Sequence, residues 1–325
     1  MKGPWAVGVD VGATKIEAAR VNLGGMVGDS IRTATNVSRG PKAIIADILE
    51  AVRTLTERAG SDPAGVGAGI AGQIDRDTGS VRFAPNLGWR DVPLRADLEE
   101  ALGIDTVVTN DVRAATFGEW LHGAGRGYND IVCVYVGTGI GGGVVAAGRM
   151  LSGCTNTAGE IGHITIDLNG PPCTCGNRGC LEALAGGWAL ARAARLMIEE
   201  DPKGGRTLLE MAGGITADVS AETIARAAKK GDAMALRLLE DAGRALAAGC
   251  VSLVNAFNPC RLILGGGVVD GVPELIDRVR RGLDQRALPA ARAGVEVVPA
   301  VLGPIAGVVG AGSLALHIRS DQGQA

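Results

Sequence analysis

A chain of 325 residues, 46% hydrophobic and 21% charged, carries enough apolar material for two domains with cores of their own. Lys and Arg number 32 against 35 Asp and Glu, and the resulting net charge of −3 offers no basic footprint for nucleic acid; no apolar run approaches the roughly 20 residues that a membrane span requires. Glycine, at 51 residues, is about twice its usual share and clusters at the ends of apolar runs, as where a backbone must approach phosphates closely.

Trp5 to Val11 reads as a short apolar strand that includes Asp10, and Lys15 to Val21 as its hairpin partner. The turn between them, Gly12-Ala13-Thr14-Lys15, presents backbone N–H groups as an anion nest, with Asp10 beside it to hold a hydrated Mg2+. Many hairpins carry such a turn, so phosphate binding does not follow from it alone. Pro41 to Gly60 is an amphipathic helix with Ile44, Ile48, Val52 and Leu55 in one stripe, and it is scaffold. Val66 to Ala71 is a buried strand that leads into Gly72-Gln73-Ile74-Asp75. Asn86 follows Pro85 in a turn, where an Asx-type turn is its ordinary use.

Ile104 to Thr109 is a strand with Asn110-Asp111 at its exit, and Val112 to Leu121 is a helix. Asp111 is therefore a helix cap or a reactive carboxylate, and position alone favours the cap. Ile131 to Val136 is a strand feeding Gly137-Thr138-Gly139-Ile140-Gly141-Gly142-Gly143. A dinucleotide fingerprint needs a helix after its glycines. Here Val144 to Ala147 follows, a short run ending in Gly148, and the expectation is a hairpin.

The stretch 159–182 holds the densest chemistry. His163, expected on a strand from Ile161 to Asp167, joins Cys173, Cys175 and Cys180 as a Cys3His set, the ligand count of a closed tetrahedral zinc site. The loop has too little apolar content to bury its cysteines as hydrophobes. Spacings of Cys-x-Cys and Cys-x4-Cys do not match a redox pair. Glu160 and Glu182 bracket the set, and a structural zinc needs neither. The remaining cysteines, Cys133, Cys154, Cys250 and Cys260, show no pairing spacing, which suits a reducing cytoplasm. From Gly187 the chain turns helical, with a long helix from Asp232 to Phe257 stopped at Asn258-Pro259. Arg261 to Leu264 is a strand ending in Gly265-Gly266-Gly267. Val295 to Val298 is an edge-like strand, and Pro304 to Ile318 the final helix.

Glu-x-Gly-His followed by Cys-x-Cys-Gly-x-x-Gly-Cys-x-Glu resembles the signature of the ROK family of sugar kinases and sugar-responsive repressors. Asp10-x-Gly12-x-Thr14-Lys15 is similar to the first phosphate motif of actin-like ATPases, with Ala13 where ROK chains usually carry a second glycine. Ala71 and Gln73 stand where many members have prolines. The resemblance covers essentially the whole chain. It implies an α/β, two-lobed actin-like ATPase (ribonuclease H-like) fold with a zinc-binding loop in the second lobe. The expected lobes are residues 1–111 with 304–325, and residues 112–303, with substrates in the cleft between them.

The same resemblance implies ATP with Mg2+ at Asp10, Gly12, Thr14, Lys15, Gly137, Thr138 and Gly139, with Gly265, Gly266 and Gly267 on the adenosine side. It implies a hexose against Gly72, Asn86, Asn110, Glu160, His163 and Glu182, with Asp111 as the base that takes the proton of the attacking hydroxyl. Structural Zn2+ would sit on His163, Cys173, Cys175 and Cys180. Glu160-Ile-Gly-His163-Ile-Thr resembles the glucokinase form of the motif, so phosphorylation of glucose at its 6-hydroxyl is expected. A kinase of N-acetylmannosamine, N-acetylglucosamine or fructose is the alternative. A repressor of this family carries a helix-turn-helix ahead of the first strand, for which the residues before Gly12 leave no room. A structural filament would have no use for the zinc loop. The expected setting is a cytoplasmic homodimer or dimer of dimers without nucleic-acid or membrane partners.

Overall fold

The computed structural model describes residues 3–322. They divide into two compact units, one of residues up to Gly127 with Met150–Gly159 and the residues from Val301 on, the other of Tyr128–Arg149 and Glu160–Ala300.

Trp5–Val11, buried along nearly its whole length, is the middle strand of the first unit. It pairs antiparallel with Lys15–Asn22 and parallel with Val66–Ile70. Val27–Ala34 and Thr106–Asn110 form the two edges of this five-stranded sheet. Pro41–Ala59 covers one face, with Ile44, Ile48, Val52 and Leu55 fully buried; each such side chain contributes roughly 1.5–3 kcal/mol. Ala306–Gln322 lies on the other face at backbone contact, and glycines make that approach possible. A Cβ at Gly8 would stand 2.0 Å from the Val308 carbonyl oxygen, and one at Gly67 1.8 Å from that of Ala311. Asp111–His122 packs against the same helix, where a Cβ at Gly310 would stand 1.6 Å from the Ala114 oxygen. The first unit therefore runs on to Gly127. Glu119, fully buried on this helix, accepts N–H bonds from Ala124, Val301 and Leu302. A small antiparallel sheet of Gln73–Ile74, Val81–Ala84 and Trp89–Val92 completes the unit.

The second unit repeats the plan. Ile131–Val136 pairs antiparallel with Ile140–Ala146 and parallel with Arg261–Gly265, while Arg149–Met150 and Glu296–Pro299 are the edges. The two sheets thus share one strand order and one pattern of directions, each opening on a glycine-bearing hairpin turn. Around the second sheet lie Gly187–Glu200, Ala221–Lys229, Ala233–Phe257 and Glu274–Arg286. Asp232 caps the longest by accepting the Ala235 N–H at 2.8 Å, and Asn258, left-handed at φ +46°, ends it before Pro259. Among the described residues no helix is long and apolar enough to cross a membrane. One expectation is corrected: His163 lies in a 3-10 turn, Ile161–His163, and not on a strand. The apolar–polar alternation of Gly162 to Ile166 imitates a strand, but among the described residues the segment forms an isolated bridge, Thr165 to Cys180, and no strand of its own.

Candidate functional site

Asp111 is the first residue of its helix, and Asn110 is the cap. The Asn110 Oδ1 accepts the N–H groups of Val112 at 3.0 Å and Arg113 at 3.1 Å, satisfying two of the donors that a helix start leaves without partners. The cap that position alone assigned to Asp111 is therefore supplied by its neighbour Asn110. The Asn110 Nδ2 donates to the Gly72 carbonyl at 3.2 Å, which brings Gly72, Asn110 and Asp111 together. Gly72 has to be glycine for packing, since a Cβ there would stand 2.7 Å from that of Ala84. Asn86 is exposed on the turn Pro85–Leu87, between buried Ala84 and buried Leu87.

Asp10 stands at the end of the central strand, where Gly307 of the last helix leaves room for it: a Cβ on Gly307 would lie 2.9 Å from the Asp10 Cγ. Burial, and then the charge of Asp111, push the Asp10 carboxyl up to about 7. A cation at this carboxylate would offset both effects, and oxygen is the ligand type that Mg2+ takes. In the neighbouring turn the Gly12 N–H is spent on the Lys15 carbonyl at 3.0 Å. The Lys15 ammonium pairs with Glu17 at 2.8 Å, and Arg32 shares that carboxylate at 2.9 Å. Gly12 thus contributes shape to the turn around Thr14 rather than a donor.

In the second unit the Gly137 N–H donates to the Gly139 carbonyl at 2.9 Å, while Gly187 and Trp188 donate to the carbonyls of Gly137 and Thr138. The hairpin turn is thereby joined to the start of Gly187–Glu200. Glu182 supports it from beneath, its Oε2 accepting the Ile140 N–H at 2.8 Å and its Oε1 the Trp188 indole N–H at 3.1 Å. A Cβ on Gly139 would stand 2.4 Å from that Oε2. Gly137, Thr138 and Gly267 line a cavity of about 1010 Å3, together with Trp188, Arg195, Ser220, Glu222 and Lys229. Gly265 and Gly266 serve packing: a Cβ would stand 2.7 Å from the Ala300 Cβ at the first and 2.6 Å from the Val136 oxygen at the second, where φ is +91°. The helical lining residues carried no motif, and only the fold identifies them.

His163, Cys173, Cys175 and Cys180 place their ligand atoms within 4.8 Å of one another. Cys175 Sγ lies 3.7 Å from Cys180 Sγ, and Cys173 Sγ 3.7 Å from His163 Nδ1. With Zn–S bonds of about 2.3 Å a tetrahedron has S···S edges of about 3.8 Å, so the set fits a zinc-sized ion bound through Nδ1. A hydrogen bond with the Asn177 backbone holds the Cys175 thiol below its ordinary range, whereas burial pushes that of Cys180 up to about 12. An adjacent cation is what would keep both as thiolates. The loop is tightly made: Gly179 has φ +62°, and a Cβ there would stand 1.6 Å from the Asp167 oxygen. Glu160 is exposed immediately before the turn that carries His163.

The sequence profile of the ROK family matches residues 6–318. A glucokinase of Halalkalibacterium halodurans is 38% identical over 318 residues, covering 97% of this chain and 96% of its own. A solved ROK family glucokinase from Streptomyces griseus, in complex with glucose and AMPPNP, superposes with a TM-score of 0.84 at 35% identity over 96% of this chain and 99% of that one. A ROK hexokinase from Thermus thermophilus does so with a TM-score of 0.82 at 33% identity, covering 98% and 99%.

Proposed function

The chain belongs to the ROK family, and on that premise we propose that it is an ATP-dependent glucokinase that phosphorylates the 6-hydroxyl of glucose. The observation that carries this reading is the likeness, over nearly the full length of both chains, to a glucokinase whose structure holds glucose and AMPPNP. The division of labour at residues 110 and 111 supports it, because the helix start already has its cap in Asn110.

A sugar hydroxyl is a poor nucleophile, and a carboxylate within hydrogen-bond reach orients it and accepts its proton as the bond to phosphorus forms. Asp111 takes that role. Phosphoryl transfer asks for positioning and charge neutralisation more than for covalent chemistry. Gly137, Thr138 and Gly267 line the space for the nucleotide, with Thr14 and Lys15 at the other glycine turn. Gly72, Asn86, Asn110, Glu160, His163 and Glu182 are assigned to the sugar. Mg2+ bound with ATP would be held at Asp10 and would neutralise phosphate charge. Zn2+ on His163, Cys173, Cys175 and Cys180 would fix the loop and the orientation of the His163 ring.

A coupled ADP-release assay over glucose, mannose, fructose and the N-acetylated hexosamines tests the reading. Glucose should give the highest kcat/KM. A higher value for N-acetylmannosamine or N-acetylglucosamine would replace glucose as the substrate while leaving the kinase standing.

A further inference from the structure

Arg113 has no counterpart in the motifs read from the sequence, yet it closes a ring of hydrogen bonds around the start of the Asp111 helix. Its Nη1 donates to the Asn156 carbonyl at 3.0 Å and to the Asn156 Oδ1 at 2.5 Å, and its Nη2 to the Ser152 Oγ at 2.9 Å. The Asn156 Nδ2 in turn donates to the Ile74 carbonyl at 3.0 Å. Ile74 lies two residues beyond Gly72, whose carbonyl holds Asn110, and Asn110 receives the Arg113 N–H at 3.1 Å. The ring passes through Gly72, Asn110, Arg113, Asn156 and Ile74 and returns to its start, with every link inside the first unit.

Two features mark the ring as more than a surface contact. Asn156 is left-handed, at φ +63°, a conformation uncommon outside glycine and best tolerated by Asn. That backbone presents carbonyl and side chain to Arg113 at once. The Arg113 guanidinium also spans two chain positions four residues apart, Ser152 and Asn156, with two nitrogens fixed in one plane, a fork that the compact Lys ammonium does not offer. The helix start is consequently held from two sides, by Asn110 to Gly72 and by Arg113 to the 152–156 loop. A first turn gripped at two points cannot rotate about its axis, and that rotation sets where Asp111 aims.

We propose that Arg113 is a positioning residue for sugar phosphorylation, acting with Asn156 to lock the 152–156 loop and the first helical turn so that Asp111 stays aimed at the acceptor hydroxyl. This rests on the hexose-kinase reading. The ring includes none of the residues assigned to the nucleotide, so its loss should separate the two substrates. Misplacing a reacting group by about 1 Å costs on the order of 10²-fold.

The test uses the full chain with Arg113→Met, which keeps the bulk, and Asn156→Gly, which keeps the left-handed backbone and deletes both side-chain contacts. Each should lower kcat/KM for glucose by about 10- to 100-fold and leave KM for ATP within about twofold. Arg113→Lys should recover only part of the loss. Hydrogen exchange at amides 150–159 should quicken in both variants. If kcat/KM for glucose stays within about twofold while Tm falls, or if exchange at 150–159 is unchanged, Arg113 is a brace and the proposal is overturned. Should Arg113→Met fail to fold, Asn156→Gly decides, since it leaves the helix intact. A wild-type chain that phosphorylates no hexose would overturn the kinase reading and this role together, whereas an active wild type with unmoved variants overturns this role alone.

Discussion

Glu182 and Ile140 are joined by a 2.8 Å hydrogen bond from the Ile140 N–H to Oε2, which ties the helix that follows Cys180 to the strand that follows the Gly137-Thr138-Gly139 turn. The helix that continues the Cys3His loop and the Gly137-Thr138-Gly139 hairpin are therefore joined through one carboxylate, and its second oxygen is engaged by Trp188 on the cavity wall. Gly139→Val would drive a side chain into that carboxylate, 2.4 Å from the ideal Cβ position. Crowding of phosphates alone would harm ATP binding more than sugar binding. With Glu182 displaced, both should weaken by about 10-fold or more, since leaving a buried donor unsatisfied costs about 1–3 kcal/mol. Calorimetric titration with glucose and with a non-hydrolysable ATP analogue checks this.

Asp111→Asn should lower kcat by roughly 10²- to 10⁴-fold and leave glucose Kd within about tenfold, the signature of an interaction made mainly in the transition state. Because Asn110 does the capping, Tm should move by no more than a few degrees. Asn110→Ala supplies the contrast: it should cost about 1 kcal/mol as a lost cap and release the link to Gly72 as well. A normal kcat for Asp111→Asn would move the search for the base to Glu160.

Freshly purified protein made without chelator should carry one zinc ion per chain, measured by mass spectrometry. Cys175→Ala removes one of the four ligand atoms gathered within 4.8 Å and should lose the metal. KM for glucose should rise strongly, with a smaller rise for ATP transmitted through Glu182. Metal-free wild-type protein with unchanged kinetics would remove zinc from the account.

His122 places its Nε2 2.9 Å from the Ser313 Oγ, and burial, followed by the charges of His317 and Arg126, holds its pKa below the usual histidine value. The folded chain thus resists a proton that the unfolded chain accepts from about pH 6.5 downward. Stability from this site is complete above that pH and lost as pH falls through the depressed native value. Tm should drop between about pH 7 and pH 5, and His122→Gln should flatten that slope. A slope unchanged by the substitution would assign the acid sensitivity to other groups.

The glycine turns, the strands leading into them and the Cys3His set were legible because each packs a chemically specific pattern into a short span. What escaped detection lacked either contrast or proximity. Val27–Ala34 has only two half-buried side chains, Val27 and Ile31, with the others exposed, so it gives no apolar period to read. Gln73–Ile74 and its partners are strands of two to four residues, too short for alternation to stand out. Arg113 meets Asn156 across 43 residues of sequence, and Glu119 reaches Val301 across 182; no local pattern announces such pairs. Glu182 follows the Cys3His set closely in sequence without belonging to it. That both its oxygens receive N–H groups, from Ile140 and from Trp188, could emerge only from the fold.

The glycine-mediated seat of Ala306–Gln322 on the first sheet has a consequence for how the molecule is made. The sheet's last strand, Thr106–Asn110, is synthesised roughly 200 residues before that helix, a delay of about 10–40 s at ribosomal rates of about 5–20 residues per second. During the wait, Gly8 and Gly67 leave a smooth, sticky face with no helix to fill it. The second unit, nearly continuous in sequence, has all its strands by Pro299 and is in a position to mature first. Closure of the first unit depends on contacts spanning almost the whole chain, the class of contact that forms slowest. Nascent chains stalled shortly before Ala306 should therefore be the ones that chaperones hold.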